Sequence, residues 1–154
     1  MRMYTVQFEN VSVTAAQDFF EITPADDKVC VVHAIFLSQS SEVGDAQEEM
    51  LRAQIIRGHT TSGSGGTTPT PEPTNPNDAA AGFTAEVNNT TIASAGTTGI
   101  IHSEAFNVRT GWVYIPTPEM RPMVKQTNTT LVVRLLAAPA DAVSMIGTLY
   151  VEEI

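Results

Sequence analysis

The sequence predicts a single all-β domain: a β-sandwich, jelly roll or barrel of about eight or nine antiparallel strands. Three observations carry that expectation. Apolar residues alternate with a period of two in short runs separated by turn residues. The charged fraction, 16%, is below the ~25% of average chains. Thr is abundant and no run sustains a helical period, which favours strands over exposed helices. A length of 154 residues suits one domain, with no internal repeat of propeller or solenoid type.

Taken in order, residues 3–8 alternate weakly, and Val11-Ser12-Val13 continues the strand after a break at Glu9-Asn10. Residues 16–23 carry Phe19, Phe20 and Ile22 and stop at Pro24, before the polar turn Ala25-Asp26-Asp27-Lys28. Residues 29–39 are apolar on both faces: Val29, Val31, His33, Ile35 and Leu37 against Cys30, Val32, Ala34 and Phe36. That is the mark of a buried central strand. Residues 38–47 form a polar connection. For 48–59 both a strand and a helix are conceivable; the strand, with Leu51, Ala53 and Ile55 inward, is preferred over a helix grouping Ala46, Met50, Ala53 and Arg57.

Residues 60–81 are of low complexity. Ser62-Gly63-Ser64-Gly65-Gly66 is flexible by composition, and Pro69, Pro71, Pro73 and Pro76 favour extended chain. A loop of this length in a compact domain is uncommon, so it is expected to project as a flexible arm. Short strands follow at 82–88, 99–108 and 112–115, the last two joined by Arg109-Thr110-Gly111. Pro116, Pro118 and Pro122 interrupt the next segment. Residues 129–137 and 143–152 flank Ala138-Pro139-Ala140-Asp141-Ala142 and read as a central antiparallel hairpin. Gly147 leaves a gap in its apolar set. Val132, Leu136, Ile146 and Tyr150 lie on its mixed face, so that face is expected to be covered.

Function classes narrow by exclusion. A formal net charge of −9 with eight scattered basic residues opposes nucleic-acid binding, which needs clustered cations. No apolar run approaches the ~18 residues of a membrane span, and no signal core follows Met1, so synthesis in a cytoplasm is expected. The lone Cys30 forms no intrachain disulfide and reads as a buried thiol rather than a nucleophile. Sequons at Asn10, Asn88, Asn89 and Asn128 are expected by chance in so Thr-rich a chain.

No catalytic, cofactor or metal residue is assigned. His33, His59 and His102 lack paired spacing; His33 reads as a satisfied core histidine, the other two as near strand ends. Ser62–Gly66 lacks the Lys-Ser/Thr of a phosphate loop. Glu48-Glu49, Asp26-Asp27 and Glu152-Glu153 read as solvated edges. Trp112 and Tyr114 are of the types enriched at interfaces, although Trp112 also reads as core filler beside Val113 and Ile115. The proline-spaced segment 116–122, with Arg121, suits contact with a neighbour.

The all-β pattern, the Thr/Pro/Gly-rich mid-loop, the segment 111–122, the Ala138–Ala142 break and the ending Leu149-Tyr150-Val151-Glu152-Glu153-Ile154 resemble head decoration (cement) or minor capsid proteins of tailed bacteriophages. The resemblance implies a β-sandwich or barrel that clusters, often as a homotrimer, on the capsid surface and clamps the major capsid protein. It places the protein in the virion, without cofactor. The residues expected to bind partners are Met1, Arg2, Met3 and Tyr4, in an N-terminal arm of residues 1–8 that orders on binding, together with Trp112, Tyr114 and Arg121. Two other readings remain: a carbohydrate- or receptor-binding sandwich of a phage tail with Trp112 and Tyr114 as a stacking platform, and a cupin-like metal enzyme using His33, His59 and His102.

Overall fold

In the computed structural model, which describes residues 1–42, 48–125 and 129–154, the chain folds as eleven strands in two antiparallel sheets. The strands are β1 (Arg2–Val13), β2 (Gln17–Thr23), β3 (Val29–Gln39), β4 (Met50–His59), β5 (Glu72–Pro73), β6 (Thr84–Asn89), β7 (Gly99–Asn107), β8 (Trp112–Tyr114), β9 (Met123–Lys125), β10 (Thr130–Leu135) and β11 (Val143–Glu153). One sheet, here sheet A, runs β5-β1-β11-β3-β8, with β9 also on β3; sheet B runs β6-β2-β10-β4-β7. They pack face to face as a sandwich, not a closed barrel. The two strands beyond the expected nine, β5 and β9, have two and three residues. Such runs are too short to show a period. The end of the polar connection, 43–47, and the sequon at Asn128 lie outside the described residues.

The expected C-terminal hairpin is corrected. β10 and β11 are each the middle strand of a sheet, but of different sheets. Alternation reports that a run is a buried strand and leaves its neighbours open. The same swap explains the second faces. Outside sheet B, Val132 is buried with Ile56 and with Ala93 of the loop before β7. Outside sheet A, Ile146 and Tyr150 stay half-buried.

Residues 48–59 form a strand, with Leu51, Ala53 and Ile55 in the core as expected. In β3 the simple alternation fails at one point. The ladder with β11 shifts between Tyr150 and Val151, so the core-facing set passes from Cys30 and Val32 to Ile35 and Leu37. A bulge adds one residue and flips every side chain beyond it. Cys30 is buried and unbonded, and burial pushes its thiol up to about 12, with Glu153 adding in the same direction.

The expected N-terminal arm is not an arm. β1 pairs with β11 from Arg2 onward, and Tyr4, Val6 and Phe8 point into the core. Tyr4 packs edge-on against Phe83 with ring centroids 5.6 Å apart, and Phe8 stacks with Phe19 at 6.1 Å. Phe8 also lies opposite Gly147, where a Cβ would meet its ring at 2.5 and 2.6 Å. The gap in the apolar set of β11 is thus the seat of an aromatic ring. Gly147→Ala should cost about 1–3 kcal/mol by overpacking. Denaturant titration checks this, and a loss under about 0.5 kcal/mol, the range of ordinary surface changes, would contradict it.

Residues 60–81 do not project either. Thr61, Ser64 and Thr67 bridge to Ser94, Thr91 and Val87, and β5 pairs with β1. Tyr4 donates its hydroxyl hydrogen bond to the Ala79 carbonyl at 2.9 Å. Glycine serves close approach here. Gly63 donates its amide to buried Glu21 at 3.0 Å, and a Cβ would strike the Thr91 carbonyl. The low complexity that reads as flexibility is, at Gly63, a steric requirement. Buried carboxylates pin the other loops. Asp18 accepts from the Ala93 amide at 2.8 Å, and Glu153 from the Gly82 and Phe83 amides, each at 2.9 Å. Glu153 is therefore no solvated edge residue; Glu152, beside it, bonds His33 at 2.7 Å.

Candidate functional site

The seven residues expected to bind partners do not come together. Met1 and Arg2 are exposed at the start of β1, Met3 is half-buried, and Tyr4 is in the core. Trp112, Tyr114 and Arg121 lie at the opposite edge of sheet A, along β8 and the segment leading to β9. Arg121 is half-buried, with its Nε enclosed and unpartnered.

At that second edge the two sheets meet in an aromatic cluster. On β7, the register with β4 puts His102 opposite Ile55, Glu104 opposite Ala53 and Phe106 opposite Leu51. Since cross-strand partners share a face, these three point to the inner side of sheet B. From β8 the rings of Trp112 and Tyr114 meet them. Trp112 stacks on Phe106 with centroids 6.1 Å apart, and Tyr114 lies 4.6 Å from His102. Trp112 is only 3% exposed, so its Nε1–H must find a partner, and it donates to Glu104 Oε2 at 2.6 Å. The same oxygen lies 2.9 Å from His102 Nε2. Spacing of two on a strand places His102 and Glu104 on one face. That signal was in the sequence, but without knowing that β7 and β8 face each other it does not point to Trp112.

The hydrogen bonds from His102 and then from Trp112 hold the Glu104 carboxyl below the usual carboxylate range. Burial, and secondarily Glu104, pushes the Tyr114 hydroxyl up. Because the Glu104 value is lowered by folding, its contribution is present above the ordinary carboxylate range and is lost as pH falls through the lowered value. Trp112 reports this directly. Its emission should be blue-shifted and resistant to quencher at neutral pH, and should change with a midpoint below the ~4.3 of a free glutamate. Glu104→Gln should abolish the acid transition. A midpoint at or above the free value, or exposed-type emission at neutral pH, would contradict the geometry.

The chemistry of the cluster is structural. Glu104 is engaged by an indole and an imidazole, and both aromatic side chains expected to form an open stacking platform are buried. The three histidines stand apart. His33 bonds Glu152, His102 bonds Glu104, and His59 is buried with both ring nitrogens unpartnered. Among the described residues no three His, Cys, Asp or Glu side chains gather. A cavity of about 600 Å³ opens near the end of β4, lined by Arg57, Thr97, Met123 and Lys125 among others, with no acid or histidine among its described lining residues.

What β8 turns outward differs in kind. Val113 and Ile115 are 62% and 66% exposed, so they are not the core fellows of Trp112. The ladders place Val113 beside Phe36, Phe36 beside Thr148 and Thr148 beside Gln7, in one row across the outer face of sheet A. Phe36 packs edge-on against Tyr150 at 6.0 Å. Met120 and Met123 add exposed apolar surface after β8. Families of known proteins, curated sequences and solved structures were compared with the chain, and none matches.

Proposed function

We propose that the chain is a structural virion protein that binds the outside of a phage capsid, with the major capsid protein as its partner and the outer face of sheet A as its contact surface. The observation that supports this best is the outward apolar patch of Val113 and Phe36, with Tyr150 packed edge-on against Phe36 and Ile115 exposed at one edge of the sheet. An apolar strip of this kind, poor in charge, has the composition of a protein contact. The rest of the fold suits the task. The contact residues sit on paired strands, Val113 opposite Phe36 and Phe36 opposite Thr148, so the surface is ordered before binding and little chain entropy is lost in contact. An acidic chain on the exterior also stays clear of packaged DNA. The resemblance further implies self-association as trimers.

A density gradient of lysate from the source culture, probed for this chain, tests the reading. Co-migration with DNA-filled particles at high, fixed copy number is the expected result. Material confined to the top of the gradient would overturn it. The carbohydrate-binding alternative loses its stacking platform, since Trp112 and Tyr114 are buried.

A further inference from the structure

The sandwich has four edges, and three of them are covered, short or broken. β5 is two residues long, ends in Pro73 and pairs with β1 only at Tyr4 and Thr5. Beyond it the edge of β1 is broken by the register shift between Phe8 and Val11, where Asn10 takes a positive φ. β6 is covered by the preceding loop, where Thr67 and Val87 exchange backbone hydrogen bonds of 3.1 and 2.9 Å. β8 and β9 have three residues each, separated by Pro116, Pro118 and Pro122. The fourth edge is β7, with nine residues and no Pro, Lys or Arg. It pairs with β4 on one side only. Among the described residues no backbone hydrogen bond from outside the ladder reaches 99–106. Soluble proteins blunt such edges, because an open row of N–H and C=O groups is a template for another strand.

We propose that a second copy of this chain adds to β7 in antiparallel fashion, about a two-fold axis through Ser103, and joins two five-stranded sheets into one. The sequence of the edge is complementary to itself in that register. Residues directly opposite share a face, so His102 of each copy meets Glu104 of the other on the inner side. Sliding the register by two residues sets His102 against His102 in one direction and Glu104 against Glu104 in the other. Like groups opposed in this way disfavour both slips. On the outer side Ser103 and Ala105 are small and exposed, so the incoming strand meets no bulky side chain over 103–105; Ile100, 60% exposed, lies beyond the irregularity in the β4 ladder. That irregularity, at Ile101, leaves His102–Asn107 regular, so the run that is symmetric about Ser103 is the three residues from His102 to Glu104. The contact is isologous and closes as a dimer, in contrast to the trimer that the resemblance implies. It does not rest on the shell-binding reading, which is measured separately by co-migration with particles.

Two measurements on the full chain test it. Sedimentation equilibrium of the unaltered protein should give twice the 16.5 kDa chain mass. Under mild oxidation, Ser103→Cys should form a disulfide-linked dimer, because the self-opposed Cα atoms of an antiparallel pair lie ~4.5–5.5 Å apart, within disulfide reach. Ala105→Cys, opposite Ile101 of the other copy, should cross-link at least ten-fold more slowly. The native Cys30 is buried and gives little background. A monomeric or trimeric mass overturns the proposal, as does a dimer in which neither variant cross-links or both do so equally.

Discussion

Deleting residues 1–8 is expected to abolish folding: the truncated chain should show no cooperative unfolding transition and should accumulate as insoluble material. The deletion removes three core side chains, Tyr4, Val6 and Phe8, and takes from β11, the middle strand of sheet A, its partner from Arg2 to Phe8. Loss of a single large core side chain costs about 2–5 kcal/mol. Three such losses, with the exposed flank of β11, match or exceed the ~5–15 kcal/mol that holds a typical domain together. An arm that orders only on binding would behave in the opposite way, leaving the melting curve unchanged. Thermal unfolding followed by circular dichroism separates the two, and a truncated protein that melts like the full chain would contradict the placement of β1.

Arg134→Ala should destabilise the domain by about 3–5 kcal/mol, because it strands a buried carboxylate. Asp18 has no exposed side-chain surface and is held by the Arg134 guanidinium, with Nε to Oδ1 at 2.6 Å and Nη2 to Oδ2 at 3.2 Å. Arg134 also donates to the Ala93 carbonyl at 3.0 Å, while the Ala93 amide donates to Asp18. The pair therefore clips the loop before β7 over the outer face of sheet B, where Ala93 covers Val132. At this chain length such a loss corresponds to a fall in Tm of roughly 10 °C. Arg134→Lys keeps the charge without the fork and should recover only part of it. A fall of 1 °C or less in the alanine variant would contradict the arrangement.

The strands were legible in the sequence wherever alternation ran for five or more residues, and β3 matches its expected span from Val29 to Gln39. What alternation does not carry is partnership. The 129–152 region reads as a hairpin because its two strands are adjacent in sequence and separated by five residues. In the structure that connection crosses from sheet B to sheet A. Residues 3–8 read as a weakly alternating strand, since Thr5 and Gln7 dilute the apolar content, and the N-terminal eight residues read as an arm only through the resemblance to capsid-binding proteins. Thr5 and Gln7 lie on the outer side of sheet A, opposite Tyr150 and Thr148, while the alternate residues fill the core. The loop 60–81 reads as flexible because Gly63 and its neighbours are small; their smallness lets the chain approach the Thr91 carbonyl and buried Glu21.

The candidate surface was half legible. Ile146 and Tyr150 stood out as apolar residues on a mixed face, and that face remains open on sheet A. Val113 reads as interior because it adjoins Trp112, yet consecutive strand residues point to opposite faces. Burying Trp112 therefore exposes Val113. The same parity gives the surface its test. A negative charge at Val113 leaves the core untouched and places an unpaired charge at the β8 end of the proposed contact.

The most direct measurement is the binding of Val113→Glu/Ile115→Glu to particles that lack this chain, set beside the unaltered protein in the same sedimentation assay. If sheet A is the shell-binding face, the doubly substituted protein has an unchanged melting temperature and at least a hundred-fold weaker binding, roughly 3 kcal/mol, as expected when exposed apolar anchors are replaced by charge. Undiminished binding by the folded variant would contradict that assignment.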